Sequence, residues 1–325
     1  MYLLLSAALF ALAVLIPLVP AIREIRKPRD DGRLHISEAY VRDPRFFGRS
    51  FRAKLAPFVE KAHRDADYSA NVALRTDEET RWSPDLRIAD GERVRGIAVG
   101  DRVTVGAGAG IRDAYGLDTL TCEADVTTRT LTSGGDMRIG EKVNVLRWID
   151  AEGAIVVGDG TNLGVSASGG HSVTLGDRVQ FQRVWGKPVI SKTTATQRFP
   201  LENVKGLKHV SQENVLARRP VVIYGPLRIA AGTILESHVK VHGDVQIEAG
   251  VRIAGSVIAR GNITFASDVV VDGHVFSEND IYLGPGTRVG KAGGVKTVYA
   301  AGRAYLADDV EINGWLVAED GGETV

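Results

Sequence analysis

Residues 239–289 read VKVHGDVQIEAGVRIAGSVIARGNITFASDVVVDGHVFSENDIYLGPGTRV, and an apolar or small residue returns at every sixth position. The leading positions run Ile223, Ile229, Leu235, Val241, Ile247, Ile253, Ala259, Phe265, Val271, Ser277, Leu283 and Val289. Four residues after each stand Leu227, Thr233, Val239, Val245, Val251, Val257, Ile263, Val269, Val275, Ile281, Thr287 and Gly293. A six-residue period fits neither a helix nor a two-sided strand over this length. It fits an all-β fold, a triangular parallel β-helix with one hexad per wall and three walls per coil. Val245 and Ile247 lie two apart, so they share one face of a short strand. Gln246, Arg252 and Thr264 are expected to face solvent. Corners fall at Ala249-Gly250, Gly261-Asn262, Ser267-Asp268 and Gly284-Pro285-Gly286, residues that tolerate tight or left-handed backbone.

An earlier stretch obeys the same rule. Its leading positions are Ile139, Val145, Ala151, Val157, Leu163, Gly169, Leu175 and Phe181, and its partners Val143, Ile149, Ile155, Thr161, Ala167, Val173, Val179 and Trp185. Trp185 is therefore expected to point inward. A preliminary motif, Ile97, Val99, Val103 and Val105, has hexad spacing, but Gly106–Gly116 breaks the register. Residues 186–219 erase the pattern while keeping its phase, which leaves one continuous rod and two separate rods both open. After Gly293 the register slips, then resumes at Leu306, Val310, Ile312 and Leu316. With Trp315, these mark the carboxy-terminal solenoid end and are the candidate self-assembly residues, since an end coil exposes unpaired strand edges.

The chain has 325 residues and 40 basic against 40 acidic side chains, so no polyelectrolyte partner is implied overall. One cysteine, Cys122, excludes an intrachain disulfide framework and a multi-cysteine metal site. Tyr2–Ile22 carries no charge and one plainly polar side chain, Ser6, over a length that would span a bilayer as a helix. No basic residue precedes it, so an uncleaved transmembrane anchor over 1–22 is favoured over a signal peptide. Arg23, Arg26, Lys27, Arg29 and Arg33 follow at once, a basic cluster placed to contact the membrane surface. The positive-inside rule then puts the solenoid in the cytoplasm, on a single-pass protein of an inner membrane.

Asp43-Pro44 reads as the start of a juxtamembrane helix over about 43–62, with Phe47, Phe51, Leu55 and either Phe58 or Val59 on one face. That stripe would cap the first solenoid coil or lie on anionic lipid, and the cap is the favoured reading. Pro57 is expected to bend or end its first part. The organisation expected is anchor 1–22, basic segment and linker 23–93, first solenoid run 94–185, irregular segment 186–219, second run 220–319 and acidic tail 320–325.

Val239–Val289 resembles a bactofilin domain, in the recurrence of V-x-G-D-V-x-I followed by a small-residue corner and V-x-I-x-G. The resemblance covers the second run well and the first loosely. It implies a right-handed β-helix that polymerises end to end without nucleotide, often at the inner membrane, and scaffolds cell-envelope enzymes. It implies homo-oligomers through solenoid ends, an envelope-synthesis protein as partner, no cofactor and no catalytic residue.

Two other readings compete. A hexapeptide-repeat acyltransferase needs a general base, and His238 and His274, two coils apart in one column with His242 nearby, are the candidates. Isolated corner histidines are the commoner case. A polysaccharide-binding or cleaving β-helix would use Asp272, Glu278 and Asp280, or Trp148, Trp185 and Trp315 as stacking platforms. Gly106–Gly110 lacks the lysine of a phosphate loop, no metal set is present, and nothing beyond the juxtamembrane charge points to nucleic acid.

Overall fold

Stacked at 18-residue intervals, the hexads put like beside like: Leu227, Val245, Ile263 and Ile281 form one inward column of parallel-paired strands. Of the leading and partner residues named above, all are buried except Trp185, Ile223 and Gly293. The computed structural model describes residues 43–64, 80–194, 199–201, 205–211 and 220–325. Apart from Asp43, these belong to one unit, Pro44–Val325. It is a β-solenoid of about 13 turns with a single helix among the described residues, α1 (Phe46–Arg64).

Three walls recur. In the first solenoid wall A turns Ala98, Ala114, Leu131, Ile149, Ala167 and Val184 inward. Wall B stacks Val103, Leu120, Met137, Ile155, Val173 and Val189. Wall C stacks Val94, Ile111, Thr128 and Val145. The early coils take 17 residues rather than 18: Val103 pairs with Leu120, and Leu120 with Met137. Register shifts at Val94/Ile97 and Gly100/Arg102 absorb the difference. This is why the hexad fails over Gly106–Gly116. It also turns Ile97 and Val99 outward, with Ala98 between them facing the core.

One backbone position per coil is left-handed. In the first solenoid it is Gly91, Gly108, Asp125, Lys142, Gly160 and Arg178, and in the second Gly232, Gly250, Asp268, Gly286 and Asp309. All lie at the edge between walls B and C, where the backbone reverses direction too sharply for other conformations.

The two solenoids meet carboxy-terminal end to carboxy-terminal end. Gln180–Ser191, the last coil of the first, pairs antiparallel with Glu311–Thr324, the last coil of the second. The register sets Val184 opposite Leu316, Trp185 opposite Trp315 and Gly186 opposite Gly314. Side chains seal the seam: Ser191 Oγ donates to the Ala307 carbonyl at 2.6 Å, and Thr324 Oγ1 to the Gly176 carbonyl at 2.6 Å.

The chain reaches the far end by running back along wall C. Thr193 N–H donates to Asp308 Oδ1 at 2.9 Å, Phe199 packs on Tyr282 with centroids 5.2 Å apart, and Lys208–Val210 pairs with Leu227–Ile229. Walls follow in the order A, B, C in the first solenoid and A, C, B in the second. Traversed in opposite directions, these orders describe one and the same handedness.

Several expectations are corrected. The rod is continuous, and residues 186–219 contain the end of one coil, a return path and the start of another rather than a plain insertion. The first coil begins at Thr80, inside the expected linker, because its outward positions are Arg81, Asp85 and Arg87 and hide the pattern. Residues 320–325 are not a tail: Glu311–Thr324 continues through them, and Thr324 is fully buried at the seam. The slip after Gly293 is five extra residues at one corner, which bring Ile281 beside Ala304, 23 residues on.

The fold expectation of a membrane-spanning helix is also corrected. Among the described residues no helix is long and apolar enough to cross a membrane. The span expected at Tyr2–Ile22 and the cluster Arg23, Arg26, Lys27, Arg29 and Arg33 lie outside the described residues. The helix expected over 43–62 is α1, which continues through Pro57 to Arg64.

The seam predicts a cross-link. In an antiparallel pair the Cα atoms of directly opposed residues lie about 4.5–5.5 Å apart, within disulfide reach. Trp185→Cys combined with Trp315→Cys should therefore close an intrachain disulfide on oxidation, read as a faster monomer band on non-reducing gels. Cys122 will not compete, because burial pushes its thiol up to about 12. A purely intermolecular cross-link would refute the seam.

Candidate functional site

A helix beside a solenoid needs an apolar strip on a wall, and wall A supplies one. Leu55, Phe58 and Val59 of α1 bury against Ile97 and Val99, with Phe51, Trp82, Tyr115 and Leu117 around them. Phe51 meets Trp148 edge-on at 5.6 Å, and Phe58 meets Trp82 at 6.4 Å. The stripe expected to cap the first coil or to lie on lipid thus lies along the side of the rod, across several coils. Trp148, a candidate sugar platform, is taken up beneath this helix.

Charge fixes the start of α1. Asp150 is an acid in an otherwise apolar strand, Asn144–Ala151, and its side chain is 1% exposed. Arg45 Nε lies 3.1 Å from Asp150 Oδ1, and Arg52 NH1 lies 2.6 Å from Oδ2. The same two arginines reach Glu152 at 2.6 and 2.7 Å, and Ser168 Oγ donates to Asp150 at 2.7 Å. The hydrogen bond from Arg45 holds the Glu152 carboxyl below its usual range. Burial opposes the Arg45 charge, yet hydrogen bonds to Glu152 and Asp150 outweigh it and raise its pKa. Gly48 sits directly over the Asp150 carboxylate, where a Cβ would come within 2.1 Å of Oδ2. This cluster was missed from sequence. Its signal is Arg45 and Arg52, seven apart and so on one helix face, together with an acid where a strand should be apolar.

The candidate bases do separate structural work. His238 Nδ1 accepts from Ser256 N–H at 3.0 Å and His274 Nδ1 from Thr297 N–H at 3.1 Å. His274 N–H donates in turn to Ser256 Oγ at 3.0 Å, so the column is a ladder tying corner to corner. His242 stacks on Tyr224 at 4.6 Å on another corner. Nor do the carboxylates converge. Asp272 pairs with Lys291 at 2.9 Å, Asp280 accepts from Arg303 N–H at 2.7 Å, and Glu278 faces Arg260 at 3.9 Å.

Trp185 turns outward with the Lys187 ammonium 5.6 Å above its ring, and Val184 fills the core instead. Leu306, Val310, Ile312 and Leu316 are fully buried where the second solenoid meets the first, so their end is occupied by this chain itself. Gln246, expected in solvent, is buried, and Phe199 and Pro200 line one shallow hollow with it. Among the described residues no three metal-ligating side chains converge. No known family, no curated protein and no solved structure matches this chain.

Asp150→Ala should leave two buried guanidiniums short of a partner and cost about 3–5 kcal/mol in urea unfolding, or release α1 to proteolysis. An unchanged midpoint with α1 still protected would contradict the cluster's role. Burial, aided by Lys296, lowers the His274 pKa below its ordinary 6.5. Its contribution is therefore complete above about pH 6.5 and lost as pH falls below that value. His274→Asn, which keeps an acceptor at the corner, should flatten this part of the stability–pH curve.

Proposed function

We propose that this chain is a structural scaffold whose rods join through their outer ends. The observation that carries the reading is the asymmetry of the two kinds of end. Both carboxy-terminal coils are consumed in the seam. The outermost strands, Thr80–Trp82 and Asp85–Ile88 at one end and Lys208–Val210 and Val221–Tyr224 at the other, pair on one side only among the described residues. Open strand edges are templates for pairing with another chain. The bactofilin-like repeat supports the same reading, with envelope-synthesis proteins as the machinery such a scaffold would gather. Contacts between rods would then join first coil to first coil, away from the residues 306–316 expected to serve.

Electron microscopy of the full chain should show rods on the order of 60 Å, from about 13 turns at ~4.8 Å each, and longer multiples as concentration rises. The carbonyls of Pro84 and Ile88 accept from Arg102 and Gly106, so alternation turns the Arg87 N–H to the free edge. Arg87→Pro removes that donor and should shorten assemblies that use this end. Single rods alone at high concentration would sink the proposal.

A further inference from the structure

The three walls of the second solenoid meet solvent differently. Wall B presents Arg252 and Arg288, which face Asp272 at 3.5 Å and Glu311 at 4.0 Å, a surface suited to water. Wall C presents Arg228, Gln246 and Tyr282, with Phe199 of the return path laid over Tyr282. Wall A presents Ile258, Phe276, Tyr299 and Val317 in one unbroken outward row. Ile258 is 40% exposed, and the Phe276 and Tyr299 rings lie 6.3 Å apart. No described segment covers the row.

We infer that wall A of the second solenoid docks an amphipathic helix from a partner protein, apolar along one stripe and carboxylate-bearing beside it. The first argument is continuity. The inward column Ala167, Val184, Leu316, Val298 runs unbroken through the seam, so this is the same wall that α1 covers in the first solenoid. The fold has already solved how to seat a helix there. The row spans three coil steps, about 14 Å, which matches roughly three turns of helix.

The second argument is charge. On the covered half the wall supplies acids, Asp150 and Glu152, and the helix supplies arginines. On the bare half the sign is reversed. Lys240 stands in line with Ile258, Arg260 flanks it, and Lys187 lies at the seam, all exposed. The acids nearby, Glu278 and Glu319, already face Arg260 and Arg183 at 3.9 and 4.0 Å. A second copy's α1, which carries Arg49, Arg52, Lys54 and Lys61, would meet like charge. A helix with Glu or Asp at its flanks would not. The inference concerns a side wall and is independent of assembly at the ends.

The test uses the full chain and two fluorescent 14-residue peptides with the same leucine stripe, one flanked by Glu and one by Lys. Anisotropy should show saturable binding of the Glu peptide and at least tenfold weaker binding of the Lys peptide. Ile258→Asp and Phe276→Ser should each weaken the Glu peptide at least tenfold, whereas Val156→Asp on wall B should leave it unchanged. Ile258 is the more exposed, so its variant keeps the test open if Phe276→Ser fails to fold. Absence of saturable binding, equal binding of both peptides, or indifference to Ile258→Asp overturns the inference. So does sedimentation that shows a dimer, or co-sedimentation with anionic vesicles, abolished by Ile258→Asp. Those results would assign the wall to a second copy or to lipid.

Discussion

The antiparallel pairing of Gln180–Ser191 with Glu311–Thr324 is the contact on which the rest of the rod depends. A solenoid cannot satisfy its own last coil, because every coil takes its backbone partners from its neighbours. Two solenoids of one hand that meet carboxy-terminal end to carboxy-terminal end satisfy both last coils at once. The geometry then obliges the chain to travel the full length of the second solenoid before starting it. The return path along wall C, and the burial of Gln246 under it, are consequences of that single junction.

The core was legible in the sequence because period six reports a local fact, the alternation of wall and corner. Val239 through Val289 and Ile139 through Val179 could be placed inward from spacing alone. The seam was not legible. Trp185 and Trp315 are partners across 130 residues, and a backbone pairing carries no periodic mark on the side chains that flank it. Trp185 was misread for a related reason. The closing coil widens its strand, and Val184 takes the inward place. The first coils were hidden by a 17-residue turn, which shifts an apolar pair such as Ile97 and Val99 from the core to the outside without changing its composition.

That shift explains why a helix is needed. Ile97, Val99 and Tyr115 would be a wet apolar strip without α1, and Asp150 would be a hydrated carboxylate. With α1 in place the strip is buried, and the carboxylate loses its water. A buried ion cluster seldom adds much net stability, since desolvation offsets most of the attraction. Its effect is on position. Arg45 and Arg52 close on Asp150 in one register only, and Gly48 permits the approach. The aromatic residues bind the helix to the wall, and the ions decide where along the wall it sits.

The two outer ends are both first coils, but they are not alike. One edge carries Arg81, Asp85 and Arg87, with Arg81 paired to Glu92 and Arg87 to Glu123. The other carries Val222 and Tyr224, 48% and 72% exposed. Charged edge strands resist pairing, and apolar ones invite it. In a scaffold built from such rods the two ends would therefore differ in strength, with the end of the second solenoid forming the tighter joint. The rod also differs along its flank, where α1 covers wall A on one side of the seam and leaves it bare on the other. A chain whose two halves share one core plan thus distinguishes its ends by edge chemistry and its sides by a single helix, while the seam keeps all of these surfaces on one continuous body.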